Sequence, residues 1–552
     1  MPSLTTGQGI VDSLLRHGVN TVFGIPGAHT YDLFDALYGA RDRIRFITTR
    51  HEQAAGYMAF GYAKSSGKPG VFSVVPGPGV LNAGAALCTA LGACTPVLCL
   101  TADIPSPFIG RGRGILHELP DQLATLQSIT KWARRIDHPT QASAAVAEAL
   151  HAMHRGRPGP AALVTPWDVL GQSAEVMPQD PLPPAAPPPT DTDSIERAVA
   201  LIRVAKNPMI TVGAGALHAG EEVLELARLL QAPVTAHRSG RGLVSEDLPY
   251  GFSAGSAIGL WMDTDLVIGI GSRLELQHLR WRKMPSGVQF VRIDIDPTEM
   301  VRLPPAVGIV ADAKAGTAAL VEALRKVVGA RALREDEFRE VKARARQQFE
   351  QVQPQLAYLD VLRQRLPRNG FLVEEISQVG FTARFGFPVY TPRTYVTCGY
   401  QETLGFGFNT ALGVKVAHPD KVVVSVTGDG GFLFGVQELA TAVQHRIGLV
   451  TCLFNNNSYG NVRRDQLNNY GGHLIGAELT NPDFVKLSES FGVTAYRVHT
   501  PDQFGAALEK AIVLDAPAVV EVMVEPGSEA SPWPFLHPFQ SYGASATSKQ
   551  KR

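Results

Sequence analysis

Along most of the chain, strand-length apolar runs alternate with stretches whose apolar residues recur at helical spacing. The first block holds a helix over Ile10–Gly18, the runs TVFGIPG and RFITTR, and a helix from His51 through Lys64; the run GVFSVVPG, a helix after Pro78 and the run PVLCLTA follow. Short continuous apolar runs separated by helices predict strands buried on both faces, and so a parallel sheet covered by helices. A second block repeats the pattern with PMITVGAG, APVTAHR, TDLVIGIGS and VQFVRIDID. A third does so from about Leu366, with KVVVSV and GLVTCLF. The predicted fold class is α/β, with three doubly wound parallel-sheet domains.

Composition marks the joints. Residues 178–193 (PQDPLPPAAPPPTDTD) are rich in proline and poor in apolar side chains, which predicts an extended linker. The charged helical run Arg331–Gln353 reads as a solvent-facing connector. The expected division is therefore 1–177, 194–328 and 366–535, with linker 178–193, connector 329–365 and a tail 536–552. The last residues, GASATSKQKR, have the composition of a disordered segment. No short-period repeat is visible, although the first and third blocks can share a fold without detectable identity.

With 552 residues, 45% of them hydrophobic, the chain can build several substantial cores. Lys+Arg and Asp+Glu both number 51, so no basic excess points to nucleic acid or to an anionic membrane. The five cysteines sit mostly in apolar stretches without a CxxC pair and read as reduced core thiols. The start, MPSLTTGQGIVDSLLRHGVN, lacks a signal-peptide layout, and no apolar run approaches the roughly 18 residues of a membrane span. A cytoplasmic location follows as the simplest expectation.

The densest chemistry lies in KVVVSVTGDGGFLFGVQELATAVQHRIGLVTCLFNN. It reads as a buried strand, a Gly-Asp-Gly-Gly turn, an amphipathic helix, a second buried strand and the start of an asparagine run. In a right-handed strand–helix–strand unit the turn and the asparagines meet on one edge of the sheet. Hard oxygen ligands beside free backbone N–H groups suit a Mg2+ ion clamped to a diphosphate. Asp429 and Asn456 would ligate through side chains and Ser458 through its carbonyl, while Gly428, Gly430 and Gly431 let the backbone approach the phosphates. Glu52, in TTRHEQAAGYMAFGYAK, opens a helix whose Ala54, Ala55 and Gly56 leave room for something flat. Alone it reads as a first-turn glutamate favoured by the helix dipole. The Gly213-Ala214-Gly215 turn of the second block carries His218 where a dinucleotide fingerprint has its third glycine, so that block reads as structural or, less simply, as a nucleotide domain.

The chain resembles the acetolactate synthase / benzaldehyde lyase branch of the thiamine diphosphate-dependent enzymes. The segments that carry the resemblance are GVNTVFGIPGAHTYDLFDAL, TTRHEQAAGYMAFGYAK, GPGVLNAGAAL, SITKWARRI, GRPGPAALVTPWDVL, VRIDIDP, TLGFGFNTALG and VTGDGGF…FNNNSYG. It implies a pyrimidine-binding domain, a central domain and a diphosphate-binding domain, with thiamine diphosphate and Mg2+ as cofactors. It assigns Glu52 to the aminopyrimidine ring, where a bonded carboxylate favours the imino tautomer that removes the thiazolium C2 proton. Leu404, beside Thr403, would support the bent coenzyme. Gly79 and Asn82 would line its pyrimidine side and Ser377 and Gln378 its diphosphate side, with Tyr459 and Gly460 also implied to bind the coenzyme. His29 and His117 are implied catalytic groups, and Ala28, Gln401 and Asn461 join them and Tyr459 as implied pocket residues. In this family the first domain of one subunit faces the last domain of another, so a homodimer is the minimum unit and a homotetramer the expected one. A flavin is not expected, because the central glycines are incomplete.

The branch implies a C–C lyase or carboligase. It would decarboxylate a small 2-oxo acid, pyruvate first, or act on a 2-hydroxy ketone, with an aldehyde or ketone as acceptor. The tryptophan expected after the metal loop is absent near Asp465, and Leu116 stands where a phenylalanine is expected, which argues against biosynthetic acetolactate synthase specificity. A benzaldehyde-lyase-like or diketone-cleaving enzyme without decarboxylation is one alternative. A non-catalytic, coenzyme-binding regulatory paralogue is another, opposed by the joint presence of Glu52, Asp429 and Asn456. Trp533-Pro534-Phe535 reads as an aromatic lid or a docked tail.

Overall fold

In the computed structural model, residues 2–539 are described, and residues 540–552 of the expected tail lie outside them. Three six-stranded sheets carry the chain, and every pairing within them is parallel. The first runs Arg45–Thr48, Thr21–Gly24, Gly70–Val74, Val97–Asp103, Ala161–Pro166, Trp132–Arg135 across the sheet. The last runs Tyr395–Val396, Phe371–Glu374, Val423–Gly428, Val450–Asn455, Ala518–Met523, Thr494–Val498. Numbered within their own domains, both have the order 2-1-3-4-6-5, so the outer domains share a topology. The central sheet has the order 3-2-1-4-5-6, with Pro208–Val212 and Leu266–Ile270 side by side at its switch point.

The outer domains also share a core. Tyr57, Met58 and Phe60 from the helix Glu52–Ser66 bury against Phe406, Phe408 and Leu412 at and beyond the start of the helix Gly407–Ala417. The two backbones nearly touch. A Cβ on Gly413 would lie 1.9 Å from the Met58 carbonyl oxygen, and one on Gly61 would lie 2.1 Å from that of Thr410. Glycine at both positions lets the helix led by Glu52 seat directly on the helix that follows Leu404.

Three differences from the sequence-based picture have simple causes. The amphipathic helix expected after Gly-Asp-Gly-Gly is three short pieces: Asp429–Phe432, a 3-10 turn Val436–Glu438, and Leu439–Gln444. The break falls at Gly435, where a Cβ would sit 2.4 Å from the Asn409 carboxamide oxygen. The connector is not simply solvent-facing. Its helix Glu335–Phe349 buries Phe338 and Val341 in the central core, and Ala345 and Phe349 against Phe385 and Leu536. Residues Ser3–Thr5 form an antiparallel ribbon with Ser173–Glu175, an exposed pairing that no apolar run announced. No helix among the described residues is long and apolar enough to cross a membrane.

Candidate active site

Both outer sheets present their chemistry at the C-terminal ends of their strands. In the last domain, Asp429 follows Val423–Gly428 and the asparagines close Val450–Asn455. Asn456 Oδ1 accepts from the backbone N–H of Ser458 at 3.1 Å and from its hydroxyl at 3.0 Å. The same Ser458 N–H, with that of Gly430, acts on the Asp429 carboxylate, which burial otherwise pushes above the usual range. Asp429, Asn456 and Ser458 thus converge. Ser377 caps the helix Gln378–Gly386, and a Cβ on Gly428 would lie 3.5 Å from its Cβ. A Cβ on Gly460 would reach Gln378 Cγ at 3.6 Å. Tyr459 packs its ring where a Gly430 side chain would be, 2.3 Å from the ideal Cβ. The structure therefore gathers Ser377, Gln378, Gly428, Asp429, Gly430, Asn456, Ser458, Tyr459 and Gly460 at one edge.

Buried polar groups that the sequence reading missed support this edge. Asn481 donates to Asp429 Oδ2 at 2.7 Å, to Asn455 Oδ1 at 2.9 Å and to Asn457 Oδ1 at 3.2 Å. Glu529 accepts from Asn456 Nδ2 at 2.7 Å. Glu375 accepts from the Phe406 backbone N–H at 3.0 Å and from Thr427, and a Cβ on Gly431 would lie 2.7 Å from its carboxyl. That buried carboxyl, raised to about 7 by desolvation, ties the turn holding Leu404 to the Gly-Asp-Gly turn. Thr403, Leu404 and Glu402 are partly buried, while Gln401 is exposed. Glu402, at φ 50°, forks onto Arg384 with two bonds of 2.9 and 3.0 Å. Trp533 docks, its indole N–H bonded to Asn461 Oδ1 at 2.8 Å and its ring against Phe381.

In the first domain, Glu52 heads its helix and accepts from Asn82 Nδ2 at 2.9 Å. Asn82 lies on the helix begun by Pro78-Gly79. His29 and His117, 88 residues apart in sequence, stand with ring centroids 5.3 Å apart, and Trp167 lies 5.0 Å from His29. Both histidines hold left-handed backbone, φ 73° and 66°, an arrangement that costs side-chain-bearing residues energy and clusters at functional sites. His29 Nε2 faces the Leu116 carbonyl at 3.0 Å and must donate to it, which leaves Nδ1 buried without a partner. Burial, with a smaller effect of His29, lowers the His117 pKa. The His117 carbonyl would lie 2.6 Å from a Cβ on Gly77, and Ala28 sits beside His29, partly buried. No hydrogen bond within the chain joins Glu52 to residues 428–431 or 456–460 among the described residues.

A cavity of about 410 Å3 lies at the switch point of the central sheet, lined there by Gly213, Gly215, His237 and Gly271 and closed by residues of the outer domains, among them Arg157 and Tyr400. Residues expected at the coenzyme do not line it. Gly213 and Gly215 are needed there for packing, because Cβ atoms on them would lie 2.2 and 2.9 Å from Gly271 backbone atoms. His218 pairs with Asp312 at 2.7 Å.

Comparison with known proteins fits this arrangement domain by domain. The family described as thiamine pyrophosphate enzyme, N-terminal TPP binding domain, matches residues 4–125; the central-domain family matches 195–322, and the C-terminal TPP binding domain family matches 375–522. The chain is 33% identical to the "Probable 2-ketoarginine decarboxylase AruI" of Pseudomonas aeruginosa, over 89% of each protein. It is 30% identical to the acetolactate synthase large subunit of Haemophilus influenzae, over 96% of each. It is 31% identical to that of Corynebacterium glutamicum, over 97% of this chain and 88% of that protein. With all three domains matched in order and relatives aligned almost end to end, the chain belongs to the thiamine pyrophosphate enzyme family, as a thiamine diphosphate-dependent enzyme of the acetolactate synthase branch.

Proposed function

We propose that this enzyme is a Mg2+-dependent C–C lyase and carboligase that decarboxylates a small 2-oxo acid, pyruvate first, and passes the remaining carbon unit to a proton or to a second carbonyl. The single observation that carries the metal and diphosphate assignment is the convergence of Asp429, Asn456 and Ser458 beside the start of the helix Gln378–Gly386. The residues present fit both groups. Two side chains offer hard oxygens, and Gln378 Nε2 is buried with no partner in the chain, a donor left for a phosphate oxygen.

Bound thiamine diphosphate supplies a thiazolium carbon that adds to a carbonyl and accepts the electron pair released when the neighbouring bond breaks. Asp429 and Asn456 would fix the metal, and Leu404 would hold the coenzyme bent. Glu52, oriented by Asn82, would hold the proton exchanged with the pyrimidine ring. In the arrangement that the family resemblance implies, Glu52 of one subunit would face Asp429 of another, so a homodimer would be the smallest complete unit and a homotetramer the expected assembly. The relative named "Probable 2-ketoarginine decarboxylase AruI" supports a reaction that begins with loss of CO2 from a 2-oxo acid.

A second reading, cleavage of a 2-hydroxy ketone without decarboxylation, is favoured by the His29–His117 pair. A buried imidazole lone pair at His29 Nδ1 can take the hydroxyl proton that such a cleavage must remove. Incubation with Mg2+, thiamine diphosphate and pyruvate, with and without aldehydes, tests the first reading by NMR of CO2 and products. Acetoin or benzoin as sole substrate tests the second. Turnover of the hydroxy ketone with none of pyruvate would reverse their order.

A further inference from the structure

We propose that Glu529 is the positioning residue that sets the orientation of the Asn456 amide, so that its oxygen and not its nitrogen faces the metal. The inference rests on the reading of Asn456 as a metal ligand. A carboxamide presents oxygen and nitrogen in nearly the same shape, so its hydrogen-bond partners decide which atom points where. At Asn456 the partners are unequal. Nδ2 donates to Glu529 Oε2 at 2.7 Å, so this carboxyl oxygen is the acceptor on that side. Oδ1 is thereby turned to the other side, toward the Ser458 N–H and hydroxyl and the edge that carries Asp429. A flipped amide would set oxygen against oxygen at Glu529 and N–H groups against donors at Ser458.

Glu529 is itself held from several directions. It is buried, 73 residues downstream of Asn456, on the segment after Ala518–Met523, the last strand in chain order. Its carbonyl accepts from Arg464 Nη2 at 2.7 Å, and the same guanidinium donates to Gln378 Oε1 at 2.5 Å. The next residue is fastened to the connector: the Ala530 N–H donates to the Gln353 carbonyl at 2.9 Å, and Gln355 Nε2 donates to the Ala530 carbonyl at 2.7 Å. Gly460 leaves the space for the contact, since a Cβ there would lie 2.7 Å from Asn456 Nδ2 and 3.6 Å from Glu529 Oε2. A buried carboxyl whose backbone is fastened on both sides is suited to aim a ligand rather than merely to fill a gap.

The test is calorimetric titration of Mg2+ into full-length protein with saturating thiamine diphosphate, for wild type, Asn456→Ala, Glu529→Gln and Glu529→Met. Thermal midpoints of the metal-free proteins serve as the fold control. Removing the partner that orients a metal ligand typically weakens metal binding about 10- to 100-fold. Glu529→Met, which has no acceptor, is expected to show that loss, and Glu529→Gln, which keeps an acceptor oxygen, a smaller one. Equal losses for Gln and Met would mean that only the charge of Glu529 matters and would overturn the proposal. A lowered thermal midpoint with unchanged Mg2+ affinity would do so as well. If Asn456→Ala itself leaves Mg2+ affinity unchanged, the clamp assignment is wrong and the proposal falls with it.

Discussion

The backbone N–H of Arg50 donates to both carboxylate oxygens of Glu438, at 2.9 and 3.1 Å, joining residues 388 apart in sequence. Arg50 lies two residues before Glu52, and Glu438 lies in the broken segment after the Gly-Asp-Gly turn. A carboxylate of the last domain therefore holds the entrance of the helix that Glu52 begins. Desolvation raises the Glu438 carboxyl to about 7, against smaller lowering effects from Thr441 and the Arg50 and His51 backbone.

That shift has a sign. A folded-state pKa above the unfolded value of roughly 4.3 means that the folded protein binds the proton more tightly. Its stability contribution is full below pH of about 4.3 and is lost as pH rises to about 7. Glu438→Gln cannot ionise, so its stability relative to wild type should climb by up to about 1.4 kcal/mol per pH unit across that window and then level off. Urea unfolding at pH 5 and pH 8 measures it. A relative stability that is the same at both would mean that the carboxyl stays charged throughout.

Glu52→Gln keeps the size of the side chain and an acceptor for Asn82 but loses the carboxylate charge. It should retain Mg2+ and thiamine diphosphate while slowing exchange of the coenzyme C2 proton by about 100-fold or more. Exchange followed by NMR in D2O decides the matter, and a wild-type rate would strip Glu52 of its role.

Asn481→Ala leaves Asp429, Asn455 and Asn457 without the amide that bridges them. Each hydrogen bond lost costs about 0.5–1.5 kcal/mol, so both stability and Mg2+ affinity should fall. Loss of stability alone, with an unaltered Mg2+ titration, would make Asn481 a packing residue.

Gly430→Ala forces a methyl group into the Tyr459 ring. Overpacking of this kind costs about 1–3 kcal/mol. Tyr459→Ala in the same chain should recover most of that cost, which a double-mutant cycle of unfolding free energies reads directly. Additive effects would place the strain elsewhere.

His117→Gln should change the ratio of products across a panel of aldehyde acceptors more than it changes coenzyme affinity, because His117 meets His29, which in turn packs on Trp167, rather than the diphosphate edge. Identical product ratios for every acceptor would take His117 out of the pocket.

The sequence by itself determined the three parallel sheets and the edge where Asp429 and Asn456 lie. Buried strands appear as continuous apolar runs, and strand-end turns draw their residues from neighbouring positions, so both are written locally. It also singled out Glu52, His29 and His117, although only the folded chain brings the two histidines within 5.3 Å. Tertiary structure alone decided that Glu438 holds Arg50, that Asn481 bridges Asp429, that Glu529 meets Asn456, and that the helix after the Gly-Asp-Gly turn breaks at Gly435. The physical reason is common to all four. A buried polar partner or a close backbone approach is set by which surfaces pack together, and nothing periodic in the chain marks two residues that will meet across such a gap.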